Sequence, residues 1–135
     1  MSVYEVTRRF SFCYGHRLMN YDGKCRFPHG HNAEVSVTVT SAALDERGFV
    51  VDFGVLRDDI GDWIDRDLDH RMLLRHDDPL VKALRDLNEP VFVMQENPTA
   101  ENIAKLVFEF AQSIGFTVVE VTLWETSTSC AIYRA

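Results

Sequence analysis

Two imidazoles one residue apart, at His29 and His31, give this chain its clearest chemical signal. On an extended backbone, residues two apart point to the same face. His29-Gly30-His31 therefore aims both rings at one point, and His16 in the preceding segment can return as a third donor. Three neutral imidazole nitrogens with an open fourth position describe a catalytic zinc site rather than a closed structural one. His-x-His pairs also arise by chance, so the reading leans on His16 and on the surrounding residues.

Cys25 stands four residues before His29, between Lys24 and Arg26. Cationic neighbours lower a thiol pKa and favour the thiolate, a competent base or nucleophile. The same thiol can instead be a fourth zinc ligand. Cys13 and Cys130 lie on apolar, strand-like segments and read as core residues. Asp69-His70 can form a proton relay with a cysteine. On spacing alone the pair reads as exposed at a helix end, where the dipole favours a charged imidazole. His76, before Asp77-Asp78, reads as a solvated loop residue. Glu125, between Trp124 and Thr126, can accept two hydrogen bonds from an amino-pyrimidine edge. Position alone makes it a solvated strand-end glutamate.

These residues need a scaffold. The pattern predicts a strand over Val3 to Phe12 and a polar loop over Gly15 to Gly30. Val35, Val37 and Val39 alternate with Ser36, Thr38 and Thr40, the period of a strand with one buried face. A turn follows around Asp45 to Gly48, and Phe49-Val50-Val51 is expected to resume the strand. A first helix is predicted from Gly54 to Leu68, with Leu56, Ile60, Trp63 and Ile64 on one face. Asn97-Pro98-Thr99 signals a second, with Pro98 at its first position and Asn97 or Thr99 as cap. Ile103, Leu106, Val107, Phe110 and Ile114 keep helical spacing, and Gly115 ends it. Strands over Thr117 to Trp124 and Cys130 to Tyr133 close the order. Two strands, two helices and two strands imply an α+β domain with an antiparallel sheet and both helices on one face.

The 135 residues fit one domain with a core of its own. A net charge of −7 excludes non-specific nucleic-acid binding through a basic excess. Nothing polybasic addresses a membrane surface, and no apolar run is long enough to span one. Charged residues among the first 20 argue against a signal peptide, so the expected compartment is the cytosol. Three cysteines, an odd number, disfavour a disulfide framework.

Taken in order, the motifs resemble the 6-pyruvoyl-tetrahydropterin synthase family, which includes the bacterial 6-carboxy-tetrahydropterin synthases. The resemblance runs through Phe10-Ser-Phe-Cys-Tyr-Gly-His16-Arg-Leu and Lys24-Cys25-Arg-Phe-Pro-His29-Gly-His31-Asn32. It continues through Val51-Asp52-Phe53-Gly54, Leu68-Asp69-His70, Asn97-Pro98-Thr99-Ala100-Glu101-Asn102-Ile103 and Trp124-Glu125-Thr126. It implies a tunnelling fold, a four-stranded antiparallel sheet with two helices on one face. Three subunits close a barrel, and two trimers stack as a homohexamer. By the same resemblance His16, His29 and His31 hold Zn2+, and Cys25, Asp69 and His70 form the catalytic triad. Glu125 anchors the pterin ring and Thr99 helps line its pocket. Active sites at subunit interfaces would let Asp69-His70 serve a neighbour's Cys25.

The implied substrate is 7,8-dihydroneopterin triphosphate, with Lys24, Arg26 and Arg71 placed by charge to meet the triphosphate. The compact loop between His16 and Cys25 is more similar to members that form 6-carboxy-5,6,7,8-tetrahydropterin, acetaldehyde and triphosphate. The other branch eliminates triphosphate and yields 6-pyruvoyl-tetrahydropterin. A non-catalytic zinc- and pterin-binding module would have no need of Cys25, Asp69 and His70 together. A cupin-like protein would show many short strands instead of two long helical segments. Two positions depart from the family pattern. Tyr14-Gly15 stands where Ala-Ala is usual, and Ala33 where an aromatic often follows His-Gly-His-Asn. Both bear on substrate and product more than on the metal.

Overall fold

A computed structural model describes residues 3–135. Two long strands, β1 (Tyr4–His16) and β2 (His29–Ser41), pair antiparallel over their whole length, from Tyr4 opposite Ser41 to His16 opposite His29. Alternation puts Phe10, Phe12, Tyr14 and His16 on one face of β1, with Ala33, Val35, Val37 and Val39 on the same face of β2. That face carries the core. β1 runs four residues further than the pattern predicted, and it ends on His16 itself.

The apolar run Phe49-Val50-Val51 does not resume a strand. The Asp45 carboxylate accepts the N–H groups of Arg47 and Phe49, and Gly48 takes a φ of +90°. These bonds lock a turn. Val50 and Val51 are apolar because they pack against the core.

Residues 53–68 form one helix, α1, begun by Asp52, whose carboxylate accepts Gly54 N–H at 2.7 Å. It is α-helical at Phe53–Leu56 and π-type at Arg57–Gly61 and Ile64–Leu68. A pure α-helix overshoots every fourth residue, and the wider π turns bring it back. Leu56, Ile60, Ile64 and Leu68 thus share one line, each at most 1% exposed. The helix stops at Asp69, and His70 turns the chain in the left-handed region at φ 59°.

Three elements follow that the pattern did not predict: β3 (Arg71–Arg75), α2 (Leu80–Asp86) and β4 (Val91–Met94). β3 runs parallel to β1, and β4 parallel to β3. Then α3 (Ala100–Ser113) begins at Thr99, whose hydroxyl accepts Asn102 N–H. Pro98 therefore precedes the cap rather than filling the first helical position. Gly115, at φ +108°, ends the helix region as expected. β5 (Val118–Trp124) and β6 (Cys130–Tyr133) complete an α+β fold. Its sheet has six strands in the order β4-β3-β1-β2-β5-β6, mixed rather than four-stranded and antiparallel. Trp63 of α1 meets Phe110 of α3 edge to face at 4.0 Å, so both helices share the core with the inward face of the sheet. No helix among the described residues is long and apolar enough to cross a membrane.

Candidate metal centre and active site

The β1–β2 register assembles the three predicted ligands. His16 and His29 are opposite partners, and His31 lies two residues along β2, opposite Tyr14. Gly30 between them allows the close approach, since a Cβ there would meet the Tyr14 carbonyl oxygen at 3.0 Å. One donor atom from each histidine falls within 4.8 Å of the others.

Backbone carbonyls orient two of the rings. His16 Nδ1 donates to Pro98 O at 2.7 Å, and His29 Nδ1 to Phe27 O at 2.8 Å. A carbonyl only accepts, so both Nδ1 atoms carry hydrogen when the rings are neutral, and both Nε2 atoms are bare acceptors. Those Nε2 atoms face each other at 3.0 Å. Two lone pairs so close repel unless a cation or proton lies between them. His31 Nε2 is buried without a hydrogen bond; Glu125 Oε1 is 3.2 Å away but not aligned to accept one. Burial outweighs the other influences on His16 and holds its imidazole below the usual pKa, in the neutral form a metal needs. This donor set fits zinc, with an orphaned nitrogen and a repulsive contact that a cation would relieve.

Glu125 is half-buried just beyond β5. Besides facing His31, its Oε2 accepts from the Tyr14 hydroxyl at 3.4 Å. Burial first, and the Glu125 charge second, push the Tyr14 phenol up, so it stays a donor. Tyr14 and Ala33 lie diagonally on the same inward face.

Cys25, on the short 3-10 turn Lys24–Arg26, shares a hollow of about 500 Å³ with His16, Thr99 and Glu125. Asn97 ties that hollow together. Its side chain accepts from Met19 N–H and donates to Met19 O, while Asn102 donates to its carbonyl. Local sequence presents Asn97 as a helix cap; its side-chain partner Met19 lies 78 residues away and leaves no local signal.

Asp69 and His70 are adjacent to each other but are grouped with Cys13, not with Cys25. Asp69 Oδ1 accepts Cys13 N–H at 2.9 Å, His70 N–H donates to Cys13 O at 2.7 Å, and His70 Nδ1 meets Asp69 Oδ2 at 2.9 Å. Burial pushes the Asp69 carboxyl up, but these donors outweigh it and hold the group below the usual carboxylate range. Cys13 and His70 line a second, larger hollow of about 760 Å³, together with His29 and His31. The larger hollow is therefore not the one that gathers Cys25, Thr99 and Glu125. Neither Cys13 nor Cys130 is core: Cys13 is half-buried and Cys130 exposed. Both sit on strands, on the side facing away from the apolar neighbours that prompted the expectation. His76 is exposed, as expected.

The sequence model of the family described as 6-pyruvoyl tetrahydropterin synthase matches residues 5–135. The chain belongs to that family. It is 35% identical over 129 residues to the 6-carboxy-5,6,7,8-tetrahydropterin synthase of Rickettsia bellii, covering 90% of this chain and 94% of the relative. A probable 6-carboxy-5,6,7,8-tetrahydropterin synthase of Halobacterium salinarum is 48% identical over 89 residues, covering 64% of this chain and 55% of the relative. Among solved structures, an uncharacterised protein of Wolinella succinogenes superposes with a TM-score of 0.85 at 28% identity, covering 99% of both chains. The 6-pyruvoyl tetrahydropterin synthase of Caenorhabditis elegans does so at 0.74 and 25%, covering 100% of this chain and 97% of that one. Membership of this family supports the α+β fold and a pterin-related site.

Proposed function

We propose that the chain is a zinc-dependent 6-carboxy-5,6,7,8-tetrahydropterin synthase acting on 7,8-dihydroneopterin triphosphate. The observation that carries the reading is the meeting of His16, His29 and His31 around an unpartnered, buried nitrogen, beside the hollow that holds Cys25, Thr99 and Glu125. The names of the Rickettsia and Halobacterium relatives favour the carboxy product over the pyruvoyl one.

Zinc held by the three histidines supplies a Lewis acid that lowers the pKa of side-chain hydroxyls. Glu125 anchors the pterin ring, with Tyr14 fixing one carboxylate oxygen, because small misplacements of a reacting group are costly. Thr99 lines the same pocket. Cys25, as thiolate, moves a proton at the side-chain carbons. His70, polarised by Asp69, completes the relay from a neighbouring subunit of a homohexamer. The separation of the dyad from Cys25 into different hollows of one chain supports that sharing. The sheet supports it too, since β4 and β6 are edge strands open to pairing. Lys24 and Arg26, both exposed, and Arg71 on the wall of the larger hollow meet the triphosphate.

The test is incubation of the zinc-loaded protein with 7,8-dihydroneopterin triphosphate, with products read by mass spectrometry and aldehyde trapped. Carboxy-tetrahydropterin with equimolar acetaldehyde is expected. Pyruvoyl-tetrahydropterin without acetaldehyde would overturn the product assignment. Absence of turnover with metal in place would overturn the catalytic one.

A further inference from the structure

We propose that Cys13, Asp69 and His70 form a second divalent-metal site, separate from the three histidines, whose filling by excess zinc takes the Asp69–His70 pair out of use. Each of the three offers a donor atom within 4.8 Å of the other two, the same closeness found for His16, His29 and His31. The cluster is built rather than accidental. Cys13 N–H donates to Asp69, and the Cys13 carbonyl accepts from His70. The bond to the Cys13 carbonyl fixes His70 in its left-handed conformation. Cys13 and His70 both open onto the hollow of about 760 Å³, which gives an ion and its remaining water room to enter.

The donor chemistry points to zinc or a similar borderline-soft ion. One thiolate, one carboxylate and one imidazole suit it, and three protein donors leave a position for water. The step is a proton exchange. A metal–sulfur bond forms as the thiol S–H breaks, and that proton goes to solvent; the Asp69–His70 hydrogen bond opens, and if Nδ1 is the ring donor its hydrogen moves to Nε2. No oxidation state changes. The two sites then differ in charge. Three neutral imidazoles leave the full double charge on the ion, as a Lewis acid requires. A thiolate and a carboxylate cancel it, so the second site is a sink rather than a catalyst. The inhibitory consequence rests on the proposed role of Asp69 and His70; the binding does not.

The experiment loads the full chain with one equivalent of zinc and titrates it with cobalt(II). The near-ultraviolet thiolate-to-cobalt charge-transfer band and turnover are followed together. Wild type is expected to take one further equivalent with the band growing in step, while turnover falls at least tenfold. Cys13→Ser should lose the band, and its own cobalt-free turnover, whatever its level, should hold as cobalt rises. Cys25→Ser should retain the band, and Asp69→Asn, a second folded control, should weaken it. A band that survives in Cys13→Ser, or no second equivalent in wild type, would overturn the site. A second equivalent that binds through Cys13 while turnover persists would overturn the inhibition alone. Because the band is read without substrate, its outcome is independent of whether the synthase reading holds.

Discussion

His16, His29 and His31 stand on two 13-residue strands paired along their whole length, whereas Asp69 and His70 stand on the turn that ends a helix, against one strand. The first cluster inherits its geometry from strand register, and its ring orientations from two carbonyls. The second is held by a few hydrogen bonds to Cys13, and the His70 side chain is 78% exposed. The histidine cluster lies on the core side of the sheet and is gathered within one chain. The dyad sits at a helix end and faces an open hollow. Under the proposed function it is half a site that takes its thiol from a neighbour.

The largest expected effect strikes the rigid cluster. After excess metal is removed, His31→Ala should drop tightly bound zinc from one per chain to near none. Turnover should fall by more than the roughly 10–100-fold that loss of a second-shell partner costs. Metal analysis and steady-state rates on the same preparation check both. Cys25→Ala separates chemistry from metal binding. Its turnover should fall by about 10²–10⁴-fold, the range for a positioned proton carrier, with zinc content unchanged.

Asp78→Asn probes the tie between the end of β1 and the β3–α2 connection. The Arg17 guanidinium, next to His16, pairs through two nitrogens with Asp78, whose side chain is fully buried between β3 and α2. Loss of one partner of a buried pair costs about 3–5 kcal/mol, and the part-exposed Arg17 places this one nearer 2–3 kcal/mol. A melting temperature lower by about 6–10 °C is expected. Arg17 outweighs burial and holds the Asp78 carboxyl below its usual range. A depressed pKa adds stability above the unfolded value of about 3.9, and that stability is lost as pH falls through the folded value. Wild type and Asp78→Asn should therefore differ most at neutral pH and converge in acid, as thermal melts across pH will show.

Tyr14→Phe should have the smallest effect. It removes one hydrogen bond to Glu125 and leaves the ring packing. KM for the pterin should rise about three- to tenfold with kcat nearly unchanged. A large fall in kcat would mean that Tyr14 touches the reacting atoms.

Most of the rigid cluster was legible in the sequence. Period-2 alternation, the His-Gly-His spacing and the helical stripe from Leu56 to Leu68 are local signals, and local pairing delivered them. What escaped was non-local. β3 and β4 are short parallel strands with no alternation to read. The Tyr14–Glu125 contact spans 111 residues and the Arg17–Asp78 pair 61. Cys13 was legible in principle. Phe12, Tyr14 and His16 face the core, so strand parity sends Cys13 to the other side. Its apolar neighbours hid that. The four-stranded expectation missed the β3–β4 crossover that places Asp69 and His70 beside β1.

The sharing of one reaction between the two regions is tested most directly by subunit complementation. Cys25→Ala and His70→Ala chains, each inactive alone, are co-expressed with different tags, and mixed assemblies are purified. If Cys25 of one subunit works with Asp69 and His70 of the next, random assembly leaves about a quarter of the sites intact. Turnover of 7,8-dihydroneopterin triphosphate should return to about that fraction of wild type. Mixed assemblies no more active than their parents would contradict a site built across the subunit boundary.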